Sequence, residues 1–290
     1  MTYAVVTPVR DEAANLRRLG ACLAEQTVAP AEWIIVDTGS TDETVTVAHS
    51  LADQISFARV VLGREAPQKI ERGAPIVRAF EYGVDLLTDR PNVVVKLDAD
   101  VSFGSDYFER LLAAFDLDAA LGIASGSAEE LVDRTWRPRY NTGSSVWGAA
   151  RAYRWDCLER VRPLEQRMGW DGVDEIKAKL AGWTTATFDD ITFRHHRIEG
   201  GRDGSAWKAW AARGRASHYM GYRAWYLFLR SLHHARLEPR ALGMVWGYGG
   251  AALRREPNHP DPEIRARLRS EQTVRSLRTR YQDATGVSRR

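Results

Sequence analysis

Two carboxylates one residue apart, Asp98 and Asp100, close the run Val93–Val94–Val95–Lys96–Leu97. Like charges delivered to one spot repel, and a shared cation relieves the repulsion. Oxygen donors of this kind suit Mg2+ or Mn2+, ions that leave part of their shell to substrate phosphates. A divalent ion at such a pair would offset the repulsion and stabilise a departing diphosphate. Alone, the pattern reads equally as two exposed turn aspartates.

The arrangement of strand and then acid recurs at Val36–Asp37, followed by Thr38, Gly39, Ser40, Thr41 and Asp42. Asp37 can accept hydrogen bonds from a nucleobase edge or a ribose, and the Gly-Ser turn allows close backbone approach. The plainer alternative is an Asx turn, with Asp42 capping the helix that follows.

Positioning these acids requires strands that end together. The pattern predicts strands over 2–7, 32–38, 55–61 and 92–98, with helices over about 13–27, after Asp42, and over 74–87. Strands alternating with helices at this spacing imply a mostly parallel, Rossmann-like α/β sheet covered on both faces. Ligands of such sheets bind beyond the carboxyl ends of the strands, so the loops at 8–12, 37–42 and 98–102 converge on one crevice. Strands are predicted at 121–127 and 144–153, and a short helix from Arg154. A helix follows over 169–183, then a strand pair or a strand with its exit over 184–196. From about 203 the pattern becomes long helices.

The bulk composition fits this picture. The chain has 290 residues, 44% hydrophobic and 27% charged, with a net charge of +3, too weak a surplus to argue for nucleic acid. Residues 253–290 carry ten Arg against five acidic residues, and nine of the aromatics fall between Trp207 and Tyr248. This aromatic, Arg-rich region reads as a packed helix, as a surface at a membrane interface, or as an acceptor platform. Cys22 and Cys157 are far apart and read as reduced thiols. Neither a signal peptide nor a run of eighteen apolar residues is found. The expectation is a cytoplasmic location, with contact at the inner face of the membrane left open.

TYAVVTPVRDEAANL, WIIVDTGSTDET and VVVKLDADVSF, in that order, resemble the N-terminal half of the family 2 glycosyltransferases, enzymes of the GT-A fold. The resemblance spans about residues 2–196. It implies a catalytic domain over 1–200, with a nucleotide-binding half of about 1–102 and an acceptor half of about 103–200, and a helical extension over 201–290. By that likeness, Thr7, Pro8, Val9 and Glu12 would cradle the nucleoside with Asp37, Gly39 and Ser40. Asp98 would face ribose or metal, and Asp100 would ligate Mn2+ or Mg2+ at the diphosphate. His195 or His196, with His195 preferred, would be a further ligand. Lys69, Arg72 and Arg78 lie where relatives carry a basic residue for the diphosphate. The family's acidic pair before a helix has its counterpart in GWDGVDEIKAKLAGW, where Trp170 replaces the usual Glu. Asp171 falls at the catalytic aspartate as general base, with Asp174 and Glu175 as competitors one turn along and a helix cap as the structural alternative. The Gly-rich basic loop 197–205 would close over phosphates or serve only as a connector.

The resemblance implies an inverting, metal-dependent transfer of a sugar from a nucleoside diphosphate to a hydroxyl of a glycan or lipid-linked acceptor. Peripheral membrane contact through the C-terminal region and a homodimer are both compatible with it. Two other readings compete. LDADVS also resembles the nucleophile motif of haloacid-dehalogenase-like phosphatases, with Asp98 attacking and Asp189–Asp190 as a later acidic pair. A non-catalytic nucleotide-sugar-binding protein follows if Asp171 is merely a cap.

Overall fold

The structure, a computed structural model, describes residues 1–63, 73–132, 134–139, 145–196, 205–236 and 238–275. The chain begins β1 (Tyr3–Val9), α1 (Ala13–Ala24), β2 (Glu32–Asp37), α2 (Thr44–Gln54), β3 (Ala58–Leu62), α3 (Ala74–Asp85) and β4 (Val93–Leu97). It continues with β5 (Val101–Phe103), α4 (Tyr107–Leu117), β6 (Leu121–Val132), β7 (Thr135–Pro138), β8 (Ala150–Arg154), α5 (Trp155–Val161), α6 (Trp170–Leu180) and β9 (Thr184–His195). Four helices follow: α7 (Ala206–Tyr219), α8 (Ala224–Ala235), α9 (Gly243–Leu253) and α10 (Pro262–Glu271), with a 3-10 turn at Pro239–Leu242.

Among the described residues the strands form one nine-stranded sheet in the order β3-β2-β1-β4-β8-β6-β9-β5, with β7 pairing β6. β1 to β4 are mutually parallel, and β8 runs against β4. The apolar runs are continuous because both faces are covered. Tyr3, Val5, Trp33, Ile35, Val93 and Val95 face the core under α1, α2 and α4, while Val6, Ile34, Val36 and Val94 face the core under α3 and α5. The helix over 107–117, absent from the sequence reading, lays Phe108, Leu111, Leu112 and Phe115 on the first of these cores.

β9 is a single long strand where the sequence left a pair open. Its parallel register with β6 jumps between Gly126–Phe188 and Ser127–Thr192, so residues 189–191 bulge out. Only glycine fits at 126, because an added Cβ would lie 2.2 Å from the Ile191 carbonyl oxygen and 2.8 Å from the Tyr107 ring. Beyond the bulge, β9 pairs antiparallel with β5, setting Val101 opposite His195. β4 and β5 are close in sequence yet far apart in the strand order, so the sheet curls and brings the end of β9 back to the loop between them.

The C-terminal helices brace this body. Ile264 and Leu268 of α10 pack with Val173 and Ile176 of α6 and with Tyr219 and Met220. Glu165, in the loop before α6, accepts from Tyr219 Oη at 3.2 Å and lies 3.1 Å from His259 Nε2.

Candidate active site

The parallel strands release three loops at one end, and hydrogen bonds stitch the first two together. Ser40 Oγ accepts from Asp11 N at 3.0 Å, and Asp11 Oδ1 accepts from Thr41 N at 2.7 Å. Thr44 Oγ1 accepts from Glu12 N at 2.7 Å, and Glu12 Oε2 accepts from Asn15 Nδ2 at 2.7 Å. Asp37 is buried and accepts from Gly39 N at 3.0 Å and Ser40 N at 3.2 Å. It therefore builds the very turn it was expected to line. Asp42 lies one residue ahead of the α2 N-cap, Glu43, and accepts from Thr44 N at 2.9 Å; its hydrogen bonds outweigh slight burial and lower its pKa.

Two side-chain expectations in this region are corrected. The Thr7 side chain faces the core, has no exposed surface, and its Oγ1 accepts from Trp33 Nε1 at 2.9 Å. Val9, on the same side of the strand, is buried in that core, so strand parity turns both side chains away from the crevice. Pro8 is half-buried.

At the third loop, Asp98 is half-buried, and its Oδ1 lies 2.5 Å from the buried Lys96 ammonium, whose Nζ also donates to the Gly148 carbonyl at 2.9 Å. Burial pushes the Asp98 carboxyl upward, the Lys96 ammonium opposes this, and the Asp100 charge adds to it. Asp100 is buried, with His195 Nε2 at 3.4 Å from its Oδ1. Burial alone would depress His195, but Asp100, Asp98 and Glu130 outweigh it and raise its pKa. His196 points elsewhere. Its ring meets Ser102 Oγ at 2.7 Å and lies edge-on to Trp136, and burial with the Arg18 charge lowers its pKa.

The metal expectation can be tested on these donors. Asp100 and His195 place a carboxylate oxygen and an imidazole nitrogen side by side, a donor pair that fits Mn2+ or Mg2+ sharing its shell with phosphates. Among the described residues, however, no three His, Cys, Asp or Glu side chains close on one point, and one Asp98 oxygen belongs to Lys96.

The fourth component is the start of α6. Asp171 lies in its first turn, half-buried, with Oδ1 accepting from Gly172 N at 3.1 Å. A Cβ on Gly148 would lie 3.6 Å from Asp171 Oδ2, so this carboxylate adjoins the residue whose carbonyl binds Lys96. Trp170, where the family resemblance implied an acid, offers its ring to Lys96 at 5.8 Å and Arg151 at 5.7 Å.

Asp174, the competing base, is corrected to a structural role. It is buried against Arg151, which donates to it from Nη2 at 2.6 Å and from Nε at 3.2 Å, and Tyr153 Oη donates as well. No acceptor hydroxyl reaches a carboxylate so enclosed. Glu175 is likewise buried, accepting from Val146 N at 2.9 Å and from Arg151 at 3.3 Å. Arg151 also donates to the Asp171 carbonyl at 2.8 Å, so the buried network holds the backbone of the candidate base. Burial pushes Asp174 up to about 6 and Glu175 up to about 7, against the pull of the guanidinium.

Sequence reasoning missed Lys96, Arg151 and Tyr153, and took Glu175 for a competing base. The available signal was a full charge inside a strand, as in VVVKL and ARAYR, which demands a buried partner. Arg78 lies on α3 and reaches Gln166 at 3.4 Å. Lys69, Arg72 and the residues 197–204 of the Gly-rich loop lie outside the described residues.

A sequence profile for glycosyl transferase family 2 matches residues 4–169. The chain belongs to that family. No curated protein matches the chain. A mannosyltransferase from Pyrobaculum calidifontis, solved with GDP-Man and Mn2+, superposes with a TM-score of 0.57 at 15% identity over 95% of this chain and 86% of that one. S. aureus TarS 1-349 in complex with UDP-GlcNAc gives 0.58 at 14% identity over 98% and 82%. Glucosyl-3-phosphoglycerate synthase from Mycobacterium tuberculosis, with Mn2+ and UDP, gives 0.51 at 16% over 70% and 75%. The fold is therefore GT-A. Membership of family 2 removes the phosphatase alternative. Its second acidic pair is exposed in the β9 bulge, where Asp190 binds Arg110 at 2.7 Å.

Proposed function

We propose that this family 2 member is an inverting, metal-dependent glycosyltransferase moving a sugar from a nucleoside diphosphate to a hydroxyl of a glycan or lipid-linked acceptor. The observation that carries the reading is the short path from Asp98 through Lys96 to Gly148 and the Asp171 carboxylate. It sets a candidate base beside the loop that would hold the diphosphate. In the reaction, the acceptor oxygen bonds to the anomeric carbon as the bond to the diphosphate oxygen breaks. Asp171 takes the hydroxyl proton, and attack opposite the leaving group inverts the centre with one base. Asp100 and His195 would hold a divalent ion, and that ion would supply positive charge to offset the charge of the departing diphosphate. Asp37, Gly39, Ser40 and Glu12 shape the nucleoside side of the crevice, and Arg151 fixes the backbone at Asp171.

Thermal shift with UDP-, GDP- and dTDP-sugars, with and without Mn2+, tests the donor half. Metal-dependent stabilisation by one nucleotide is expected, and its absence throughout the panel defeats the reading. Asp171→Asn tests the base. Turnover should fall by about 10²- to 10⁴-fold with donor binding retained, whereas unchanged turnover removes Asp171 as the base.

A further inference from the structure

The helix α8 is apolar on two sides. Tyr226 and Leu227 are buried in the protein, and Ser231 Oγ donates to the Ala241 carbonyl at 2.9 Å. Trp225, Phe228, Leu229 and Leu232 lie at the spacing of one helical face, yet are 39%, 48%, 44% and 41% exposed. Nearby, α9 exposes Trp246 at 72% and Leu253 at 87%. That helix is pressed backbone to backbone against α7, since a Cβ on Gly247 would lie 1.9 Å from the Ala211 carbonyl oxygen. Met244 is buried, and Trp246 and Leu253 are left facing outward. Exposed apolar faces of this kind, rimmed by charge, mark interaction sites.

The charge identifies the occupant. Residues 205–255 hold nine Lys and Arg against the single acid Glu238, a surplus of eight in a chain whose net charge is only +3. Arg223, Arg230 and Arg236, at the start, middle and end of α8, are all exposed. A second copy would bring two such cationic faces together. Residues 276–290 of the same chain add four Arg against one Asp, so they carry the same sign. An anionic lipid surface carries the opposite sign, and its interface accepts Trp, Phe and Leu beside Arg.

We propose that α8 docks the protein on an anionic membrane, with Trp225, Phe228, Leu229 and Leu232 entering the interface and Arg223, Arg230 and Arg236 meeting lipid phosphates. On its inner side, His234 packs 5.3 Å from the Trp210 ring. The docking does not rest on the proposed transfer reaction.

Flotation of the full chain with vesicles tests the docking without donor or turnover. Vesicles containing about 30% phosphatidylglycerol should bind at least about tenfold more tightly than pure phosphatidylcholine, and about 0.5 M salt should remove most of that advantage. The double variant F228S/L232S should lose at least about tenfold in binding to the anionic vesicles with an unchanged melting temperature, because both residues are already exposed. Should it fail to fold, R223E/R230E keeps the stripe and must weaken binding comparably. Quenching by lipids brominated in the chains should fall in W225F. Three results overturn the proposal: no preference for anionic vesicles, equal binding by parent and stripe variant, or a dimer in solution that the stripe variant dissociates.

Discussion

Replacing Arg151 with Met removes a buried cation from a buried cluster of acids. Its guanidinium has no exposed surface and makes five hydrogen bonds, to Asp174 twice, to Glu175, and to the carbonyls of Val146 and Asp171. Deleting one partner of such a pair costs about 3–5 kcal/mol, because the remaining charge stays buried and uncompensated. For a chain of this size that loss lowers the melting temperature by roughly 10 °C. The loss must also depend on pH. Arg151 is what pulls the Asp174 and Glu175 carboxyls down against burial, so without it both rise above about 6 and about 7. Near pH 5.5 they escape the penalty by taking up protons, at about 1.4 kcal/mol per unit of pKa shift. Urea unfolding followed by tryptophan fluorescence at about pH 5.5 and 8.5 should therefore show a loss at least about 1 kcal/mol smaller in acid. R151M/D174N/E175Q should recover most of the stability. A loss below about 1 kcal/mol at the higher pH, or equal losses at both, refutes the reasoning.

The parent protein carries the same linkage. A carboxyl raised in the folded state gives stability that is complete below its unfolded value, 4.5 for Glu175, and lost as pH rises through about 7. Its melting temperature should decline between pH 5 and 8, and a flat or rising curve would contradict the burial of Asp174 and Glu175. Gly126→Ala forces a methyl into the Ile191 carbonyl and should cost about 1–3 kcal/mol. It should also impair metal-dependent donor binding by moving the end of β9, and full binding in G126A would show that the bulge does not set His195. Lys96→Met leaves the Asp98 carboxyl without its counter-charge, so donor binding at neutral pH should weaken by about tenfold or more. The pH profile of binding should move upward, and calorimetry across pH decides, since an unmoved profile assigns Lys96 to packing alone.

The strands β1 to β4 and their parallel, covered sheet were legible because such a sheet writes continuous apolar runs, and Tyr3, Val5, Val6, Trp33, Ile34 and Val93–Val95 fill both faces as those runs require. The acids after β2 and β4 were equally legible, since strand ends in such a sheet meet at one edge. The choice between His195 and His196 was not. Neighbouring residues at a strand end point to opposite sides, and only the pairing of β9 with β5 says which side holds Asp100. Asp171 and Asp174 both looked available on one helix, until the fold put Arg151 and Tyr153 beside the second. Lys96 read as an interruption of a strand until Gly148, fifty-two positions along, was placed against it. The aromatic richness of 207–248 was plain, but which face of α8 is covered depends on Ala241 and the helices around it. Local patterning thus determined the elements and the acids they carry. Tertiary structure decided which charges are neutralised, because that depends on contacts between segments distant in sequence, and a low-dielectric interior makes each such contact worth several times its value in water.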